Sequence, residues 1–164
     1  MASCFASRIG LQSSARAGRP VDSVRFFEGR ITGAGVIRDL FGRIVRRVRV
    51  EFVGRWAEEH DPLHLDETYT YSTGETQTRS WALESHGQRF IGYDAAESAR
   101  IRGEQVGQDL HFVFDRPFRP GSWLAPPPVE ARLLHIGPGR LILCAEARFA
   151  GIRLATTDAV LRRA

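Results

Sequence analysis

Arg47-Val48-Arg49-Val50-Glu51-Phe52 is the stretch that decides the fold. Its apolar residues fall at 48, 50 and 52, and its charges at 47, 49 and 51. Successive side chains of a β-strand point to opposite faces, so this period of two marks a strand with one buried face and one wet, arginine-bearing face. The same alternation recurs in Leu63-His64-Leu65-Asp66-Glu67-Thr68-Tyr69-Thr70-Tyr71, where Glu67 falls in register with Leu63, Leu65, Tyr69 and Tyr71. It returns in Leu110-His111-Phe112-Val113-Phe114 and along Leu141 to Phe149.

Turn signals separate these runs. Ser72-Thr73-Gly74-Glu75 reads as a hairpin loop, and His86-Gly87, Gly103-Glu104 and Gly137-Pro138-Gly139 read as tight turns. Asp39-Leu40-Phe41-Gly42 joins the first two strands, and Glu58 to Pro62 makes a longer polar connection. Pro117 to Pro128 is the largest loop, because proline lacks the N–H that a central strand donates. The result is nine or ten strands, at 24–37, 43–55, 63–72, 75–85, 88–94, 96–102, 106–115, 129–136, 140–149 and 152–162. No amphipathic helix interrupts them. A meander of this kind closes most simply into a single antiparallel up-and-down barrel, since closure removes unpaired edges. A two-layer sandwich fits the same list of strands.

Composition sets the remaining bounds. A chain of 164 residues fits one domain and buries a core without disulfides or metals. The domain is expected over 24–164, behind a tail over 1–23 rich in Arg, Ser and Gly. The two cysteines, Cys4 and Cys144, are too far apart in sequence and too few to suggest a disulfide framework. All 23 basic residues are arginine, a bias that reads as nucleotide composition rather than as selection for phosphate binding. No run approaches the roughly 20 apolar residues of a membrane-spanning helix. The first residues lack the apolar core of a secretory signal, so a cytoplasmic location is expected.

Chemistry-bearing residues converge on the hairpin around Gly74. With a two-residue loop, Thr68 faces Arg79 and Asp66 faces Trp81; a shift of one residue brings Glu67 to Arg79 and Trp81 instead. In either register a carboxylate, an arginine and an indole gather, with Trp56 near by as a second indole. The cluster reads either as an internal salt bridge that holds the register or as a polar anchor in an apolar cavity. Arg79 would then take a ligand carboxylate or carbonyl, while Tyr69, Tyr71 and Trp81 line the wall.

Other chemistries find less support. Of the five histidines only His60 and His64, flanking Asp61, have a ligand-like spacing, and zinc needs three or four converging ligands; no metal and no cofactor are expected. Cys144 has the apolar neighbours of an inert core thiol. Asp94 and Glu97 lie near a turn and have the chemistry for acid/base roles, but such a position reads more readily as solvated. The Arg43, Arg46, Arg47, Arg49 cluster lacks the interleaved aromatics of a single-strand binder and reads as an outer face, so no nucleic acid is expected.

The residues also resemble a bacterial family of unknown function, whose members are small lipocalin-like proteins and often lipoproteins. The likeness runs from Phe26-Phe27-Glu28-Gly29 through Phe41-Gly42-Arg43, Arg46-Arg47 and Leu63-His64-Leu65-Asp66-Glu67. It continues through Tyr71, Gly74-Glu75, Arg79 and Trp81, then Gly92-Tyr93-Asp94-Ala95, Gly103 and Gly107, covering residues 25 to 162. Two features differ from the family pattern. Thr32-Gly33-Ala34-Gly35 stands where an aromatic is usual, and no lipoprotein signal is visible. The resemblance implies a lipocalin-like, calycin-type barrel.

On that scaffold the leading expectation is carriage of a small hydrophobic molecule, with Trp56, Asp66, Glu67, Tyr69, Tyr71, Arg79 and Trp81 as its contacts. A cofactor-free isomerase, cyclase or hydratase is the second reading, with Glu67 as base and Arg79 as electrostatic stabiliser. A structural protein with a filled core, making contacts through Trp123, is the third.

Overall fold

The structure is a computed structural model that describes residues 23–57, 62–94, 99–115 and 127–164. The N-terminal segment with Cys4, the Glu58-Glu59 pair, His60, Asp61, Glu97 and Trp123 lie outside the described residues. A short 3₁₀ helix, η1 (Ser23–Phe27), leads into β1 (Gly29–Asp39), β2 (Ile44–Trp56), β3 (Leu63–Tyr71), β4 (Thr76–His86) and β5 (Arg89–Asp94). Then follow β6 (Ala99–Val106), β7 (Asp109–Asp115), β8 (Val129–Gly137), β9 (Arg140–Phe149) and β10 (Ile152–Arg163). Each strand pairs antiparallel with its neighbour in sequence, and β10 returns to β1, closing a ten-stranded barrel. Closure satisfies the backbone of both end strands and rules out the sandwich.

The alternation seen in the sequence is the alternation of inside and outside. Val48, Val50 and Phe52 are buried, while Arg47 and Arg49 are exposed. The core is not uniform along the barrel axis. At the end where β1 begins and β2 finishes, it is packed with Ile31, Leu63, Leu65, Trp81, Leu83 and Phe90, each at most 1% exposed.

That end is stoppered by η1. Two adjacent aromatics, Phe26-Phe27, break the period of two, and the chain turns there instead of starting the strand expected at 24. Phe27 enters the barrel and meets Phe90 edge-on at 5.9 Å between centroids, and Phe112 at 6.2 Å. Burying a phenylalanine contributes roughly 1.5–3 kcal/mol. Its backbone lies so close to β2 that a Cβ at Gly54 would stand 2.0 Å from the Phe27 carbonyl oxygen.

One expected turn is misplaced. Gly103-Glu104 lies inside β6, not at its end. Gly103 is a glycine for lack of room: a Cβ there would sit 2.3 Å from the Phe90 ring. The chain reverses instead at Gly107, whose φ of +65° suits glycine. The strand expected at 96–102 is therefore β6 at Ala99–Val106.

Candidate functional site

The β3–β4 loop spans residues 72–75 and selects one of the two possible registers. Glu67 pairs with Arg79, Leu65 with Trp81, and Asp66 with Ser80. Glu67 therefore points into the barrel and Asp66 out of it. Glu67 is 2% exposed; Asp66 is exposed, accepts a hydrogen bond from the Ser80 hydroxyl at 2.7 Å and lies 3.8 Å from Arg55. Asp66 thus belongs to the outer wall and does not line the cavity.

Beside Glu67 lies a cavity of about 140 Å³ in the half of the barrel away from the stopper. Its polar wall is Glu67, Tyr69, Tyr71, Gln77 and Arg79. Its apolar wall includes Phe52, Phe112, Phe114, Val129 and Leu143. The space exists because the facing strands carry small inward residues: Ala131 on β8, Ala145 on β9 and Thr157 on β10 all line it. Ile37 and Thr157 lie toward the mouth, where β1 ends and β10 begins.

Of the seven residues expected as contacts, the cavity wall brings together Glu67, Tyr69, Tyr71 and Arg79. Trp81 stands behind the wall, 1% exposed and packed 5.7 Å from the Phe114 ring. Trp56 is at the stoppered end, half-buried against the core and paired with Leu63. It is separated from the cavity because β2 runs from the mouth to the stopper and Trp56 is its last residue. The core of the stoppered half is filled, as the third reading expects, but that of the mouth half is not.

The polar cluster is under-satisfied. Tyr69 donates a long hydrogen bond of 3.4 Å to Glu67 Oε2, and Tyr71 donates one of 3.1 Å to Gln77 Oε1. Among the described residues no ion pair closes between Glu67 and Arg79, so the register-holding salt bridge does not form. Arg79 Nε is buried without a hydrogen-bond partner, and the buried Trp81 Nε1–H faces the Glu67 carboxyl without closing a bond of standard geometry. Buried polar atoms are nearly always paired in folded proteins, so the orphaned Arg79 Nε stands out.

Burial pushes the Glu67 carboxyl up to about 7. The nearby Trp81 indole, the Arg79 charge and the Tyr69 hydroxyl oppose that shift, and the charge of Asp94 adds to it. Asp94 itself, expected in solvent, is 3% exposed. It follows Phe90 and Gly92 on the inward face of β5, and that period was the signal for it in the sequence. Burial also raises the Tyr69 phenol well above its usual range.

Cys144 is half-buried and outside any disulfide among the described residues, and it pairs across the strands with Asp158 and Arg132 rather than with core residues. Among the described residues no three of His, Cys, Asp and Glu converge as a metal site would require.

A solved structure shares the fold. An S-type phycobiliprotein lyase, CPES, from Guillardia theta superposes with a TM-score of 0.59 at 10% identity, covering 87% of this chain and 93% of that one. A redesigned barrel, mFAP1, bound to DFHBI gives 0.42 at 11% identity over 87% and 99%. A fluorescence-activating barrel designed de novo gives 0.41 at 14% over 88% and 99%. At 10% identity the likeness to the lyase is one of fold. No curated protein matches the sequence. A family model described as protein of unknown function, DUF3833, matches residues 1–162, and the chain belongs to that family.

Proposed function

We propose that the barrel binds a small, mostly apolar molecule whose oxygen-bearing end is held by Arg79 and Glu67. The observation that carries this reading is the orphaned Arg79 Nε, buried in the polar wall of a cavity whose other wall is apolar. A guanidinium offers a forked set of donors, and leaving one unpaired away from water costs free energy unless a ligand completes it. Tyr69 and Tyr71 flank the same end. The cavity matches, in volume, one that accepts a benzene-sized ring. A longer body extends through the mouth.

A second reading rests on one further observation. A carboxyl held near neutrality beside a cationic group suits a general base, so Glu67 can move a proton on a bound substrate while Arg79 stabilises the developing charge. This is the cofactor-free isomerase, cyclase or hydratase of the sequence reading.

Native mass spectrometry of the purified protein tests for a retained ligand. In parallel, benzoate and toluene serve as probes, followed by tyrosine and tryptophan fluorescence. Benzoate is expected to bind more tightly than toluene, and Arg79→Gln to weaken benzoate by roughly tenfold or more while leaving toluene little changed. Absence of binding by either probe, with no retained ligand, sinks the proposal. If the retained molecule is converted by the native protein and only bound by Glu67→Gln, the second reading prevails.

A further inference from the structure

The mouth of the barrel is built differently from the rest of its surface. Seven of the eleven exposed large hydrophobic side chains of the described residues sit on two hairpins there. Leu40, Phe41, Ile44 and Val45 surround the β1–β2 turn, and Phe41 is 73% exposed. Phe149, Ile152 and Leu154 surround the β9–β10 turn, and Ile152 is 63% exposed. The hairpins are neighbours, because β1 pairs with both β2 and β10 and Asp39 faces Ala155. A third hairpin, β3–β4, joins them through Arg46, which lies over the Tyr71 ring at 5.4 Å and reaches Glu75 at 3.3 Å.

The charge around these tips is net positive. Residues 38–47, 72–75 and 148–153 hold six arginines against two carboxylates, Asp39 and Glu75. Four of the six meet acids: Arg43 with Asp39, Arg46 with Glu75, Arg38 with Asp158 and Arg148 with Glu146. Arg47 and Arg153 have no acidic partner among the described residues. Scattered exposed hydrophobics need no explanation, but a contiguous set around a cavity mouth does.

We infer that the mouth of the barrel docks on an anionic lipid surface, with the two apolar hairpin tips entering the headgroup layer and the arginines contacting lipid phosphates. The charge complementarity favours this over a second copy of the chain, which would set two arginine-rich rims against each other. Arginine stems lie along apolar surface while their heads reach polar groups, so the two features act together. Among the described residues no helix is long and apolar enough to cross a membrane. It places the cavity opening against lipid, and it holds whether or not the cavity is occupied.

Co-sedimentation of the full chain with vesicles tests it. Vesicles of mixed phosphatidylglycerol and phosphatidylcholine are expected to take the protein down, vesicles of phosphatidylcholine alone far less, and added salt to reduce binding. Arg47→Gln should weaken binding about fivefold and the exposed double change Phe41→Ser, Ile152→Ser roughly tenfold or more, with unchanged circular dichroism. Failure to bind anionic vesicles overturns the inference. So does vesicle binding that ignores all three substitutions. A stable dimer that light scattering sees in the native protein, and that the double change dissociates, shows instead that a second copy covers the tips.

Discussion

Glu67 links folding and binding at the scale of a single residue. Its carboxyl titrates near 4.5 in an unfolded chain and at about 7 in the barrel. The folded state therefore keeps a proton that the unfolded state has already released. The stability contribution is complete below pH 4.5, declines as pH rises toward about 7, and is flat above. The amplitude is about 3 kcal/mol, taking 1.36 kcal/mol for each pH unit. Glu67→Gln should abolish that slope and leave the barrel more stable than the native protein at neutral pH, as urea titrations across this range would record. An unchanged slope would mean that another group dominates. The same proton governs the ligand: below about 7 the neutral carboxyl leaves the Arg79 charge to an incoming anion, and above it the ionised carboxylate competes. Benzoate affinity should therefore fall as pH rises through 7 in the native protein, and should not do so in Glu67→Gln.

The stopper and the hairpin are the elements that make a site out of a tube. Gly54→Ala would drive a methyl group into the Phe27 carbonyl, with backbone on both sides of the contact. The expected result is a loss of roughly 1–3 kcal/mol, or more where neither strand nor helix yields. Faster amide exchange at the stoppered end should accompany it, while exchange around the mouth stays near native. Strands were legible in the sequence because burial on one face imposes a period of two, and because Gly, Pro and Asp gather where the chain reverses. Gly103 misled because a glycine can be required by a ring across the barrel as readily as by a turn. The β3–β4 register stayed open because local residues tolerate both loop lengths, and only the packing of Leu65 and Glu67 inside the barrel separates them. Trp56 and Trp81 looked like ligand contacts because indoles belong to apolar walls, but where along the axis a wall is empty cannot be read from one strand.

At the scale of the molecule, the closing seam carries the fold. β10 is bonded to β9 and to β1, which lies at the other end of the chain. A chain ending after Gly151 would expose the edges of both strands and lose the buried side chains of Ala159 and Leu161 from the core. It should lose its cooperative unfolding transition and aggregate; a truncated chain that still melts cooperatively would contradict this view of the seam. The sequence by itself determined the class of fold and the inward set of side chains, because alternation is a local property of a chain with one dry face. Tertiary structure alone decided which strands enclose space. The cavity arises where small residues of β8, β9 and β10 face aromatics of β2 and β7, a meeting of distant segments that exists only once the barrel has closed.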